Sequence, residues 1–90
     1  MTTETDLAIP PGETIAEELE ARCMSRRELA LKIGRSVRVV HDLVNARRSI
    51  DPELALDLEA ALGPSARFWL NLESDYQLTL ARQRRSARSA

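Results

Sequence analysis

Residues 25–49 of this 90-residue sequence hold seven basic side chains: Arg26, Arg27, Lys32, Arg35, Arg38, Arg47 and Arg48. Only Glu28 and Asp42 oppose them. A guanidinium fork binds phosphate and reaches guanine O6 and N7 with two parallel bonds. A basic block on one structural unit is the electrostatic footprint of a phosphate binder. The plainer alternative is a solvated surface of mixed charge. The block stands out because its flanks are acidic. Residues 1–24 carry six acids against Arg22, and residues 50–81 carry six against Arg67. Residues 82–90 are basic again, with Arg82, Arg84, Arg85 and Arg88. The formal net charge of −1 hides this alternation.

Bond-breaking chemistry has little to work with. There is one His, His41, and one Cys, Cys23. Gly12, Gly34 and Gly63 stand too far apart for a dinucleotide or P-loop fingerprint. No His/Cys pair has metal-ligand spacing. We therefore expect no catalytic residue, no metal, no cofactor and no small-molecule substrate. A single Cys excludes an internal disulfide, and Cys23 is expected to fill the core as a small hydrophobe. At 43% hydrophobic and 30% charged the composition is ordinary globular. No apolar run is long enough to span a bilayer. The acidic opening Met-Thr-Thr-Glu-Thr-Asp lacks a signal-peptide layout. Cytoplasmic location and no membrane partner are the expectations.

The elements that would carry these side chains read as helices throughout, an all-α fold of five. Residues 1–9 are expected to be extended or frayed. The Pro10-Pro11-Gly12 breaker precedes helix 1, expected over about 13–22 with Ile15, Ala16 and Leu19 on one face. Ser25 and Glu28 form a capping box for helix 2, whose buried stripe is Leu29, Ala30 and Ile33. Gly34 ends it. Ser36 caps helix 3, expected over about 37–45, with Val40, Leu43 and Val44 inward. Asp51-Pro52 starts helix 4 and Gly63-Pro64 stops it. Ser65 caps helix 5, expected from Ala66 to about Arg82. Trp69, Leu72, Tyr76 and Leu80 share its inner face, with Phe68 beside them. The domain is thus 10–82, and the basic tail 83–90 is expected to be disordered, or alternatively to reach adjacent phosphates.

Helices 2 and 3 carry the most information. Two short helices joined by a tight Gly-containing turn make a helix-turn-helix. Ala30 is small where the helices meet, Gly34 sits at the turn, and Ile33, Val40 and Leu43 bury. A plain helical hairpin in a bundle is the alternative. In a helix-turn-helix the second helix presents its first turns to base edges in the major groove. The exposed positions here are Val37, Arg38, His41 and Asp42. Arg38 is the best base reader. Val37 suits a thymine methyl or the core. Asp42 follows Arg38 by four residues and either orients it or occupies it. Ser25, Arg26, Arg27, Ser36, Arg47 and Arg48 are the candidate phosphate contacts, at helix N-termini and in the loop after helix 3.

Met24–Gly34 and Ser36–Arg48 resemble the phage-repressor (XRE) class of helix-turn-helix domains. Pro11-Gly12-Glu13, the Glu17-Glu18-Leu19 helix end, Ala61-Leu62-Gly63 and Phe68-Trp69-Leu70-Asn71-Leu72 with Tyr76 resemble the HigA branch of antitoxins. The resemblance spans about residues 9–80. It implies a lambda-repressor-like DNA-binding domain that dimerises and binds its own operator, a near-palindromic double-stranded DNA. It also implies neutralisation of a HigB-like mRNA-cleaving toxin. Ala46 departs from the family, whose loop usually has Gly there, and carries strain if its φ is positive. Phe68, Trp69, Leu72, Tyr76 and Leu80 either close the bundle or supply a homodimer interface. An acidic face of Glu13, Glu17, Glu20 and Asp57 could meet a basic toxin, or be simply solvated. Two other functions stay open: a protein-binding module on this scaffold, favoured by Val37, Asp42 and Ala46, and a repressor without a toxin.

Overall fold

Local signals set every helix start. The computed structural model describes residues 7–89. They form five α-helices: α1 Pro11–Ala21, α2 Arg26–Ile33, α3 Val37–Val44, α4 Pro52–Leu62 and α5 Ala66–Ser89. Among the described residues there is no strand. Pro11 and Pro52 occupy first-turn positions, where a missing N–H costs nothing. The Ser25–Glu28 capping box is complete in both directions, at 3.0 and 2.7 Å. Asp51 Oδ1 accepts from Leu54 N at 2.8 Å, and Ser65 Oγ from Phe68 N at 3.1 Å.

The first three helices end in one shared way. In α1 the amide of Met24 donates to Leu19 O and that of Cys23 to Glu20 O. In α2 Arg35 N donates to Ala30 O and Gly34 N to Leu31 O. In α3 Arg47 N donates to Asp42 O and Ala46 N to Leu43 O. These nested bonds are Schellman closures, which require a left-handed residue at the turn. Gly34 takes φ 68° there without strain. Cys23 and Ala46 take φ 53° and 60° with a Cβ attached. This overturns the expected core role of Cys23. The closure turns its side chain outward, and it is exposed. The next residue, Met24, packs against the core in its place.

The core is continuous across all five helices. Ile15, Leu29, Val40, Leu54, Leu58 and Trp69 are fully buried. The Trp69 indole N–H donates to Pro64 O at 3.1 Å, so its one polar atom is satisfied. The Phe68 ring meets it edge-on at 5.1 Å. Trp69 therefore belongs to the monomer core and not to a surface stripe. Leu72, Tyr76 and Leu80 remain half-buried, and Phe68 is exposed.

Gly12 corrects a second expectation. It lies inside the first turn of α1, buried, and is no breaker. A Cβ at this position would collide with Leu43 O and lie 2.6 Å from Val44 O. The N-terminus of α1 thus rests directly on the carbonyl end of α3. The opposed ends of two helix dipoles meet there favourably.

The remaining differences are at the ends. α5 continues past Arg82 to Ser89, because Gln83, Arg84, Arg85 and Ala87 are good helix formers and no Gly or Pro intervenes. Of the expected extended segment, residues 7–9 are non-helical and 1–6 lie outside the described residues. Ala90 lies outside them too.

Two substitutions test this packing in urea unfolding. Gly12→Ala is expected to destabilise the domain by about 1–3 kcal/mol, since backbone must move to admit the methyl. Trp69→Ala is expected to cost about 3–5 kcal/mol. A change under about 1 kcal/mol in either case would contradict the packing described.

Candidate nucleic-acid interface

The helix-turn-helix unit is α2, the Gly34 turn and α3. Ala30 and Ile33 on α2 and Val40 and Leu43 on α3 are buried between the two helices and the rest of the core. Burying that side leaves the opposite side of α3 outward. Ser36 caps α3 through a 3.4 Å bond to Val39 N. Of the four positions expected to read bases, Val37 is 40% exposed and so is not core. Arg38 is the most open, with its side chain 83% exposed. Its Nε lies 3.6 Å from Asp42 Oδ1, an ion pair too long for a hydrogen bond. Asp42 is partly buried and His41 exposed. The four side chains share one face of α3, as their spacing requires.

His41 has a partner that no local pattern supplies. Arg26 Nη1 lies 2.6 Å from His41 Nδ1, joining the first turn of α2 to the middle of α3. Arginine is always a donor, so Nδ1 is the acceptor in this contact. Of the expected phosphate contacts, Arg26 is thus engaged within the unit, whereas Arg27, Arg47 and Arg48 are exposed. Ser25 and Ser36 both serve as helix caps.

The loop after α3 is held from both sides. Its start is the strained Schellman closure at Ala46, so the positive φ anticipated for that position is present. Its end is pinned by Glu73, a side chain on α5 only 8% exposed. Glu73 Oε1 accepts from Ile50 N at 3.0 Å and Oε2 from Gln77 Nε2 at 2.7 Å. Both carboxylate oxygens are therefore satisfied despite burial. A cleft of about 190 Å3 separates the loop from α5, lined by Arg47, Arg48, Glu73 and Gln77 among others.

The turn has its own clamp. Arg35 Nη2 and Nε lie 3.2 and 3.3 Å from Asp57 Oδ2 on α4. Asp57 is thereby engaged with the helix-turn-helix and is not free to join an acidic face with Glu13, Glu17 and Glu20. Arg22 similarly reaches from the end of α1 to Glu18 and to the Leu62 carbonyl at the end of α4. The Glu18–Arg22 pair has i,i+4 spacing, but nothing in the spacing announces the links to Asp57 and to Leu62. Glu73 does leave a trace: it is a carboxylate four residues after Trp69, on an otherwise apolar face. Among the described residues no three His, Cys, Asp or Glu side chains are grouped to hold a metal. None of the described helices is long and apolar enough to cross a membrane.

No protein-family model matches the chain. Individual proteins do. The chain is 31% identical over 71 residues to the uncharacterized HTH-type transcriptional regulator YddM of Escherichia coli K12, covering 79% of this chain and 76% of that one. It superposes on an addiction module antidote protein of a HigA family from Coxiella burnetii with TM-score 0.83 and 34% identity. That match covers 90% of this chain and 89% of the other. The antitoxin HigA of Pseudomonas aeruginosa, solved with the higBA promoter, gives TM-score 0.84 at 32% identity over 91% of this chain and 90% of that chain.

The strain at Ala46 can be measured. Ala46→Gly is expected to raise stability by about 0.5–1 kcal/mol, the relief of left-handed backbone exceeding the entropy of an added glycine. A destabilisation in thermal or urea melts would show that the Ala46 methyl makes a contact worth more than the strain.

Proposed function

Because the chain belongs to the HigA-type family of helix-turn-helix antidote proteins, we propose that it is a DNA-binding antitoxin and autoregulatory repressor. It binds the operator of its own gene as a dimer and neutralises a HigB-like mRNA-cleaving toxin. The observation that carries the DNA reading is the outer face of α3. There Val37, Arg38 and His41 are exposed and Asp42 half-exposed, on a helix whose other side is packed into the core. The antitoxin HigA of Pseudomonas aeruginosa, solved with the higBA promoter, supports the same reading.

In the proposed complex α3 lies in the major groove. Arg38 bridges guanine O6 and N7, and Asp42 steadies it through Nε, leaving the terminal nitrogens for the base. Val37 meets a thymine methyl or the groove wall, and His41, held by Arg26, lies at the groove edge. Arg27, Arg47 and Arg48 contact phosphates, with the capped N-termini of α2 and α3 adding N–H groups. The dimer pairs through the apolar surface left on α5 at Phe68, Leu72, Tyr76 and Leu80. Two-fold symmetry then sets the two α3 helices about 34 Å apart on a near-palindromic site. The toxin is the second protein partner, and its binding to this chain is tested by co-purification of the two.

Fluorescence anisotropy on a duplex from the region upstream of the gene, against a random duplex, tests the DNA reading. A preference of about a thousandfold or more is expected. Equal, weak binding to both would leave a basic surface without readout and favour a protein-binding module. Arg38→Ala is expected to reduce the preference for the operator by about 1–3 kcal/mol. An equal weakening on both duplexes would move Arg38 to a phosphate.

A further inference from the structure

The basic end of α5 is used by nothing described so far. α5 has 24 residues and so is about 36 Å long, and it accounts for the 45 × 21 × 20 Å shape of the molecule. Arg84 and Arg88 are exposed on its last turns. Their register is informative. Glu73, Gln77, Arg84 and Arg88 are separated by four, seven and four residues, which keeps all four on one helix face. Glu73 already holds Ile50 N, and Gln77 shares a cleft with Arg47 and Arg48. The face that grips the α3–α4 loop therefore continues outward as Arg84 and Arg88. These lie about 10 and 16 Å along the axis from Gln77. Arg82 falls half a turn away, on the far side.

We propose that Arg84 and Arg88 form a second polyanion-binding surface, continuous with Arg47 and Arg48, that contacts the DNA phosphate backbone beyond the groove occupied by α3. The inference rests on the DNA-binding reading above and extends its footprint. Charge complementarity selects the occupant. Two guanidinium groups follow two more on one side of the molecule, and the backbone of a duplex presents regularly spaced phosphates to such a row. Because these side chains touch no base edge, they add affinity and leave sequence preference unchanged. A basic last turn also suits the negative end of a helix dipole. That role stabilises α5 and predicts that removing the two charges leaves the salt dependence of DNA binding unchanged.

The salt series separates these roles. Affinity of the full chain for the operator duplex is measured from low to moderate salt for wild type and two double variants of equal charge. Arg84→Gln/Arg88→Gln is expected to lower the slope of log K against log salt by about 0.9 for each phosphate left unneutralised, about 1.8 per bound chain. The ratio of operator to random affinity should not change. Arg67→Gln/Arg82→Gln, off the face, should keep the wild-type slope. Circular dichroism checks that α5 remains helical in both. Wild type without operator preference would overturn the DNA reading itself. Wild type with preference but an unchanged slope in Arg84→Gln/Arg88→Gln would overturn only the second surface. An unchanged slope with weakened self-association by sedimentation would assign the arm to pairing between copies of this chain, and equally overturn it.

Discussion

The close approach of α1 to the end of α3 organises this molecule. Leu43 and Val44 carbonyls lie where a methyl on residue 12 would have to sit, so only glycine admits the contact. α3 is a short helix with two fully buried side chains, Val40 and Leu43. A helix of that length is not stable alone in water and takes its order from what it leans on. α1 supplies that support at one end and the Gly34 turn at the other. The placement of Arg38 and Asp42 in space follows from both. Rigid backing matters for recognition, since a reader displaced by an ångström no longer matches the base edge.

Around that junction the chain uses charged side chains as fasteners. Arg35 ties the turn to α4, Glu73 ties the start of α4 to α5, and Arg22 ties the end of α1 to the end of α4. Arg35 and Glu73 join segments lacking regular structure to helix bodies, and Arg22 joins two helix termini with orphan groups. The buried Glu73 differs from the others because water cannot replace its partners. Removing its backbone donor or its neighbour Gln77 would leave an unsatisfied carboxylate oxygen in a dry place. The surface pairs are worth much less. Loop shape and loop charge are thus controlled by different residues, Glu73 and Ala46 for the one, Arg47 and Arg48 for the other.

Helix boundaries are legible in the sequence because capping chemistry is local. Ser25 with Glu28, Ser36, Asp51-Pro52 and Ser65 each act within four residues, and each appears where its spacing places it. The core stripes are legible for the same reason of periodicity. What stays hidden depends on which helix faces which. Gly12 reads as a loop residue until α3 is seen above it. Cys23 reads as core until its closure turns it outward. Trp69 sits in a stripe that serves the core or a partner equally well, and its depth decides for the core. The exposed face of α3 is legible as a set, Val37, Arg38, His41 and Asp42. The Arg26 bond to His41 is not, because it crosses between two helices whose angle no local pattern encodes.

The single tryptophan has a further use that follows from its depth. Trp69 is sealed from solvent, bonded to Pro64 and edged by Phe68, on a helix other than α3. Its emission is set by an apolar cage that exists only when the chain is folded. Unfolding exposes the ring and moves its emission to the red, while events on the outer face of α3 leave the cage intact. The molecule therefore contains its own optical gauge of folding. Denaturation can be followed in the presence of a ligand, without a label, through a signal that reports the core and not the ligand.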